Sequence, residues 1–248
     1  MPKLFYRTLF VALIFVLVFF FTKPSKEEPD STEEILTEID TEELPSVSYP
    51  TIVLDAGHGG IDPGKVGINN ALEKDINLSI VLKLKELLEN KGFTIYLTRG
   101  SDQLLCPPNS TSQKKDDMIA RIQLVEEVNP FFTISIHQNS FPDPSVNGPQ
   151  VFYYKDSIES ATMAQVIQDI LNSQLEPAKK RAPQANTNYY LLTRTPTPTI
   201  IVECGFLSNE TEANLLIQDD YQNRIAHAVY SGILAYYEAT TSDQPSSE

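Results

Sequence analysis

Apolar and polar positions along this chain alternate between short apolar runs and stretches spaced at helical period. Ile52, Val53 and Leu54 form a short apolar run closed by Asp55 and a glycine-rich turn, which predicts a buried strand. A loop over 61–72 follows, with Pro63 and glycines at 60, 64 and 67. Ile76, Ile80, Leu84, Leu87 and Leu88 then recur at helical spacing from Glu73, and Asn90-Lys91-Gly92 closes the helix. A strand is predicted over 93–98, a polar lip over 99–113, and a second amphipathic helix through Met118, Ile122 and Val125 that stops near Asn129-Pro130. Strands over 131–136 and 151–154, a helix over 158–175, short strands over 189–192 and 199–203, and helices over 210–217 and 219–237 complete the reading. Strands alternating with helices predict an α/β fold: a single domain with a mostly parallel central sheet flanked by helices on both faces.

The ends differ from this pattern. Lys3 and Arg7 precede an apolar run over 9–21 that closes on Phe19-Phe20-Phe21 with no small-residue cleavage site, so residues 1–22 are read as an uncleaved membrane signal anchor. The basic side stays inside, which puts the remainder outside the cytoplasm. Residues 23–48 are acidic and poor in large hydrophobics, as expected of a disordered linker. Residues 49–239 are the expected folded domain, and 240–248 a disordered tail. Asp and Glu outnumber Lys and Arg 33 to 19, for a net charge of −14. That excludes nucleic acid as a natural partner, because phosphate binding needs a cationic face. With Cys106 and Cys204 alone, this is not a disulfide-stapled scaffold.

Candidate chemistry lies where predicted strands end. His58 follows the first, His137 the third and Glu203 the last strong one, while Glu73 opens the first helix. Parallel strands would gather all four on one sheet edge, the edge where open α/β sheets bind ligands. Two histidines and one carboxylate are the ligand set of a catalytic zinc, and a further carboxylate can serve as general base. A cysteine hydrolase built on Cys204 and His137 is the rival. No G-x-S-x-G elbow is present, and the glycine turn lacks the Lys-Ser/Thr of a phosphate loop. His227 falls on the polar side of its helix and is read as a surface residue.

Four blocks taken in order resemble the zinc-dependent N-acetylmuramoyl-L-alanine amidase family: Leu54-Asp-Ala-Gly-His-Gly-Gly60, Leu72-Glu-Lys-Asp75, Ser135-Ile-His-Gln-Asn-Ser140 and Val202-Glu-Cys-Gly-Phe-Leu-Ser-Asn209. The resemblance implies one zinc ion on His58, Glu73 and His137, with Glu203 as catalytic base. It also implies peptidoglycan as substrate, cut between N-acetylmuramic acid and L-alanine. Asn139, Lys180, Arg181 and Asn188 are the expected substrate contacts. The anchor and the segment Asn188-Tyr-Tyr-Leu-Leu192 are similar to the germination-specific, spore-cortex subgroup, which strips stem peptides before muramic δ-lactam forms. That subgroup implies a location between the spore membranes; an activating protein partner stays open. So do a zinc peptidase acting on another stem-peptide amide and a non-catalytic wall-binding module.

Overall fold

In the computed structural model, which describes residues 49–107 and 109–242, the run Ile52-Val-Leu54 lies at the centre of β1 (Thr51–Ala56). The anchor (1–22), the linker (23–48) and residues 243–248 lie outside the described residues. Among the described residues no helix is long and apolar enough to cross a membrane.

β1 has a parallel neighbour on each side, β2 (Thr94–Leu97) and β3 (Phe132–Asn139), the latter with Asp55 beside Ser135. The connection from β1 to β2 is α1 (Glu73–Lys91), and from β2 to β3 it is α2 (Gln113–Val128). β6 (Thr199–Phe206) continues the sheet parallel to β3, β4 (Gln150–Tyr154) runs antiparallel to β6, and β5 (Gln184–Asn186) closes the edge. The order is β2-β1-β3-β6-β4-β5, a mostly parallel six-stranded sheet. The chain leaves β1 in one direction to β2 and returns on its other side as β3, so a topological switch point opens between β1 and β3.

Strand alternation gives the sheet two unlike faces. Ile52, Leu54, Ile134, Ile136, Ile200 and Val202 point one way into the main core, covered by α1, α3 (Ile158–Gln174) and α6 (Asp219–Ser242). Ile80 and Leu84 of α1, Ile167 and Leu171 of α3, and Val229 and Ile233 of α6 are fully buried there. Each such side chain stabilises by roughly 1.5–3 kcal/mol, so this face holds the fold together. The opposite face carries Asp55, Ser135, His137 and Glu203 under α2 and the one-turn helix α4 (Tyr190–Arg194). A small apolar cluster of Phe152, Leu192 and Ile201 sits on that side. The short α5 (Glu210–Leu216) follows β6.

Four elements differ from the sequence expectation. β3 and β6 continue past His137 and Glu203, so both residues lie inside strands rather than at their ends. The segment 189–192 is not a strand. The Asn186 Oδ1 accepts the N–H groups of Asn188 and Tyr189 at 2.7 and 2.8 Å, which turns the chain out of β5, and Leu191 and Leu192 then bury as a helical turn. α6 runs to Ser242, three residues past the boundary read at 239.

Candidate metal centre and active site

The stretch after β1 is held from behind by two buried arginines. Arg121 of α2 donates through Nη1 to the Ala56 carbonyl at 2.8 Å and through Nη2 to the His58 carbonyl at 2.7 Å. Arg99 donates to the Ala56 carbonyl at 2.8 Å and the Gly57 carbonyl at 3.0 Å. The grip matters because His58 has φ +63°, a left-handed conformation that costs a non-glycine residue of order 1 kcal/mol or more. Arg121 is itself fixed by Asp55 at 2.5 Å and Asp117 at 2.7 Å. Burial would raise the Asp55 carboxyl, but the Arg121 charge, His137, and hydrogen bonds from Ser135 and Thr98 bring it down to about 2.

Glu73 is placed by a reciprocal clasp. Its N–H donates to the Lys65 carbonyl at 3.0 Å, and its Oε2 accepts the Lys65 N–H at 2.7 Å, so the loop takes the place of a side-chain cap for α1. The His137 Nδ1 lies 2.9 Å from Glu73 Oε1, and the His58 Nε2 lies 3.2 Å from Glu73 Oε2. Burial opposes ionisation of Glu73, yet the hydrogen bonds and charges of both imidazoles outweigh it and hold the carboxyl far below its usual range. Burial likewise opposes the charged form of His137, but Glu73 pushes its pKa up to about 9. On the far side of His58, Nδ1 meets the Asp62 carboxylate at 2.7 Å, leaving Nε2 for the cavity.

Glu203 stands beside His137 in the parallel ladder and is 8% exposed. Its Oε2 is buried with no hydrogen-bond partner among the described residues. Burial is the main cause that raises the Glu203 pKa to about 7; His137 pulls it down, and Glu73 adds to the rise. A carboxyl poised there can accept and return a proton near neutrality.

These four side chains open into one cavity of about 500 Å³. One donor atom from each of His58, Glu73 and His137 can be chosen so that all three lie within 4.8 Å of one another. Two imidazoles and a carboxylate, all held by surrounding hydrogen bonds, suit a divalent metal with an open coordination position. The backbone is shaped to the same end. A Cβ on Gly57 would sit 2.2 Å from His137 Cε1, and one on Gly64 (φ +67°) would sit 2.5 Å from Glu73 Oε2. Gly57→Ala is therefore expected to displace the imidazole and weaken divalent-metal affinity by about 10- to 100-fold, measured by competition with a chromophoric chelator. Unchanged affinity would contradict this packing.

Of the expected substrate contacts, Asn139 lines the cavity, whereas Lys180, Arg181 and Asn188 do not. Arg181 instead donates to the Asn147 carbonyl at 2.8 Å and lies over the Phe206 ring. Lys180 and Asn188 are exposed. Asp62, Lys65, Lys114 and Tyr189 also line the cavity, and the sequence reading singled out none of them for the site. For Asp62 a signal existed, its i+4 spacing from His58 in a turn rich in glycine. Cys204, adjacent to Glu203, points to the opposite face into the main core, where burial holds its thiol far above its usual range. It has no access to the cavity, and both cysteines are free thiols. His227 is exposed on α6.

Known amidases are similar to this chain in sequence and fold. The family described as N-acetylmuramoyl-L-alanine amidase matches residues 52–235. The germination-specific N-acetylmuramoyl-L-alanine amidase of Bacillus subtilis (strain 168) is 36% identical over 194 residues, covering 77% of this chain and 81% of the relative. The CwlD amidase from Clostridioides difficile, solved in complex with the GerS lipoprotein, is 38% identical with a TM-score of 0.74, over 77% of this chain and 99% of that one. The catalytic domain of CwlV, an N-acetylmuramoyl-L-alanine amidase from Bacillus (Paenibacillus) polymyxa var. colistinus, is 29% identical with a TM-score of 0.67, over 76% of this chain and 98% of that one.

Proposed function

The chain belongs to the N-acetylmuramoyl-L-alanine amidase family, and from that premise we propose that it is a single-zinc hydrolase of spore-cortex peptidoglycan. In this reading His58, Glu73 and His137 hold the ion, and the bond cut joins the lactyl group of muramic acid to L-alanine. One observation carries the proposal: three clustered donor side chains face a second carboxylate, Glu203, that is buried and unpaired at Oε2 among the described residues.

Zinc in such a site supplies electrophilic activation to the amide carbonyl and to water. The chain's own residues do the rest. Glu203 takes a proton from the attacking water, holds it on its carboxylate, and delivers it to the departing L-alanine nitrogen. Asp62 keeps the His58 ring oriented through Nδ1, and the Arg99 and Arg121 guanidinium groups fix the backbone beneath it. The walls contributed by Tyr189, Leu191 and Ile201 exclude bulk water from one side of the cavity.

The spore-cortex role rests on the likeness to the germination-specific relative. An extracytoplasmic, membrane-tethered setting follows from the anchor at 1–22 and the linker at 23–48, and the lipoprotein bound by the Clostridioides difficile relative suggests a protein partner here too. The test is digestion of purified peptidoglycan followed by mass spectrometry. Released peptides should begin with a free L-alanine amine, and kcat/KM should fall about tenfold per pH unit on an acid limb at or below pH 7, as Glu203 takes up its proton. Cleavage of any other amide, or activity that is flat down to pH 4, would overturn the proposal.

A further inference from the structure

Charge around the cavity is almost entirely paired. Asp55 and Asp117 share Arg121, Asp62 is met by Lys114 at 2.6 Å and by His58, and Glu73 lies between the two imidazoles. Lys65 stands apart. Among the described residues its ammonium makes no ion pair and no hydrogen bond, and the residue is exposed at the lining of the cavity. Its backbone is fixed by the clasp with Glu73, so the side chain springs from a rigid point at the edge of the site. In a chain with 33 acidic and 19 basic residues, an unpaired cation at the mouth of a cavity is a conspicuous place to leave a charge.

The substrate explains what such a cation would meet, given the reading under Proposed function on which this step rests. In the intact substrate the lactyl carboxyl of muramic acid is already consumed in the amide, and the N-acetylated sugar carries no charge. Carboxylates therefore occur only on the peptide arm. We propose that Lys65 is a specificity-determining residue that binds a carboxylate on the peptide arm of the substrate. Lys114, although it lines the same cavity, is engaged by Asp62 and plays no equivalent part.

Binding is measured on the full chain carrying Glu203→Gln, which arrests turnover, with and without a change at Lys65. The probes are a soluble disaccharide peptide with free stem carboxylates and the same compound with those groups as carboxamides. At low ionic strength the carboxylate form should bind about fivefold tighter, the scale of a partly exposed ion pair, and added salt should shrink the difference. Lys65→Met should bring the ratio of the two Kd values to one, and Lys65→Arg should keep it. Because the readout is a ratio within one protein, the folded fraction of a variant cancels. A preference that survives Lys65→Met, or no preference at all, overturns the proposal. So does a Lys65 dependence seen only with the cleaved glycan, whose freed lactyl carboxylate would then be the group bound. Failure of the hydrolase reading shows separately, as no peptide released by the protein with Glu203 intact.

Discussion

Glu203→Gln should lower turnover on peptidoglycan by about 10³-fold or more while leaving metal affinity in place, because it removes the proton carrier and none of the three clustered donors. Glutamine keeps the shape of the side chain but cannot take a proton from water at neutral pH. The same substitution should stabilise the metal-free protein. A carboxyl whose folded pKa is raised to about 7, above its ordinary 4.5, binds more protons folded than unfolded between those values. Stability is thus lost as pH rises from about 4.5 to about 7, and the loss is complete above that window. Removing the charge should recover about 3 kcal/mol at pH 8 and almost nothing at pH 4, read from urea unfolding. Retained turnover, or a stability gain equal at both pH values, would show that Glu203 is neither the proton carrier nor a costly buried charge.

Arg121→Met carries the largest expected stability cost. Arg121 is 2% exposed and bridges Asp55 and Asp117, so its loss leaves two carboxylates buried without their cation. Breaking a buried pair in this way costs about 3–5 kcal/mol. It also frees the His58 carbonyl, although Arg99 still holds that of Ala56, so the left-handed His58 loses one of its restraints. The pH dependence gives a second readout. With Arg121 present, Asp55 titrates near 2, so its contribution is present above about 3.8 and is lost as pH falls through 2. Without Arg121 that carboxyl prefers its proton, and the deficit between variant and parent should shrink as pH is lowered. A deficit under about 1 kcal/mol at pH 7 would mean that the network does not hold the site.

These two residues also mark what was and was not legible in the sequence. Glu203 could be seen because it follows Ile200-Ile-Val202, and a carboxylate in a run of buried aliphatics demands a reason. His58 and His137 stood out in the same way, each beside an apolar run. Arg121 could not be seen. It sits on an amphipathic helix where arginine is ordinarily a solvated residue, and its partner Asp55 is 66 positions away. Pairing over that distance leaves no local pattern. The run Tyr189-Tyr-Leu-Leu192 was misread for a related reason: four apolar residues suit a strand, and the Asn186 side chain that turns them into α4 acts through hydrogen bonds rather than hydropathy. The glycines were half legible. Gly57 and Gly64 make room for His137 and Glu73, whereas Gly59 and Gly60 abut Gln103 and Leu104 in the neighbouring loop.

The division of labour between ligands and base is the central claim, and metal content tests it most directly. Zinc per chain should be measured by plasma mass spectrometry after equilibration in a zinc buffer, for the parent protein, Glu73→Gln and Glu203→Gln. One zinc is expected in the parent, close to none in Glu73→Gln, and one in the turnover-deficient Glu203→Gln. Full zinc in Glu73→Gln, or its loss in Glu203→Gln, would contradict the assignment of the site.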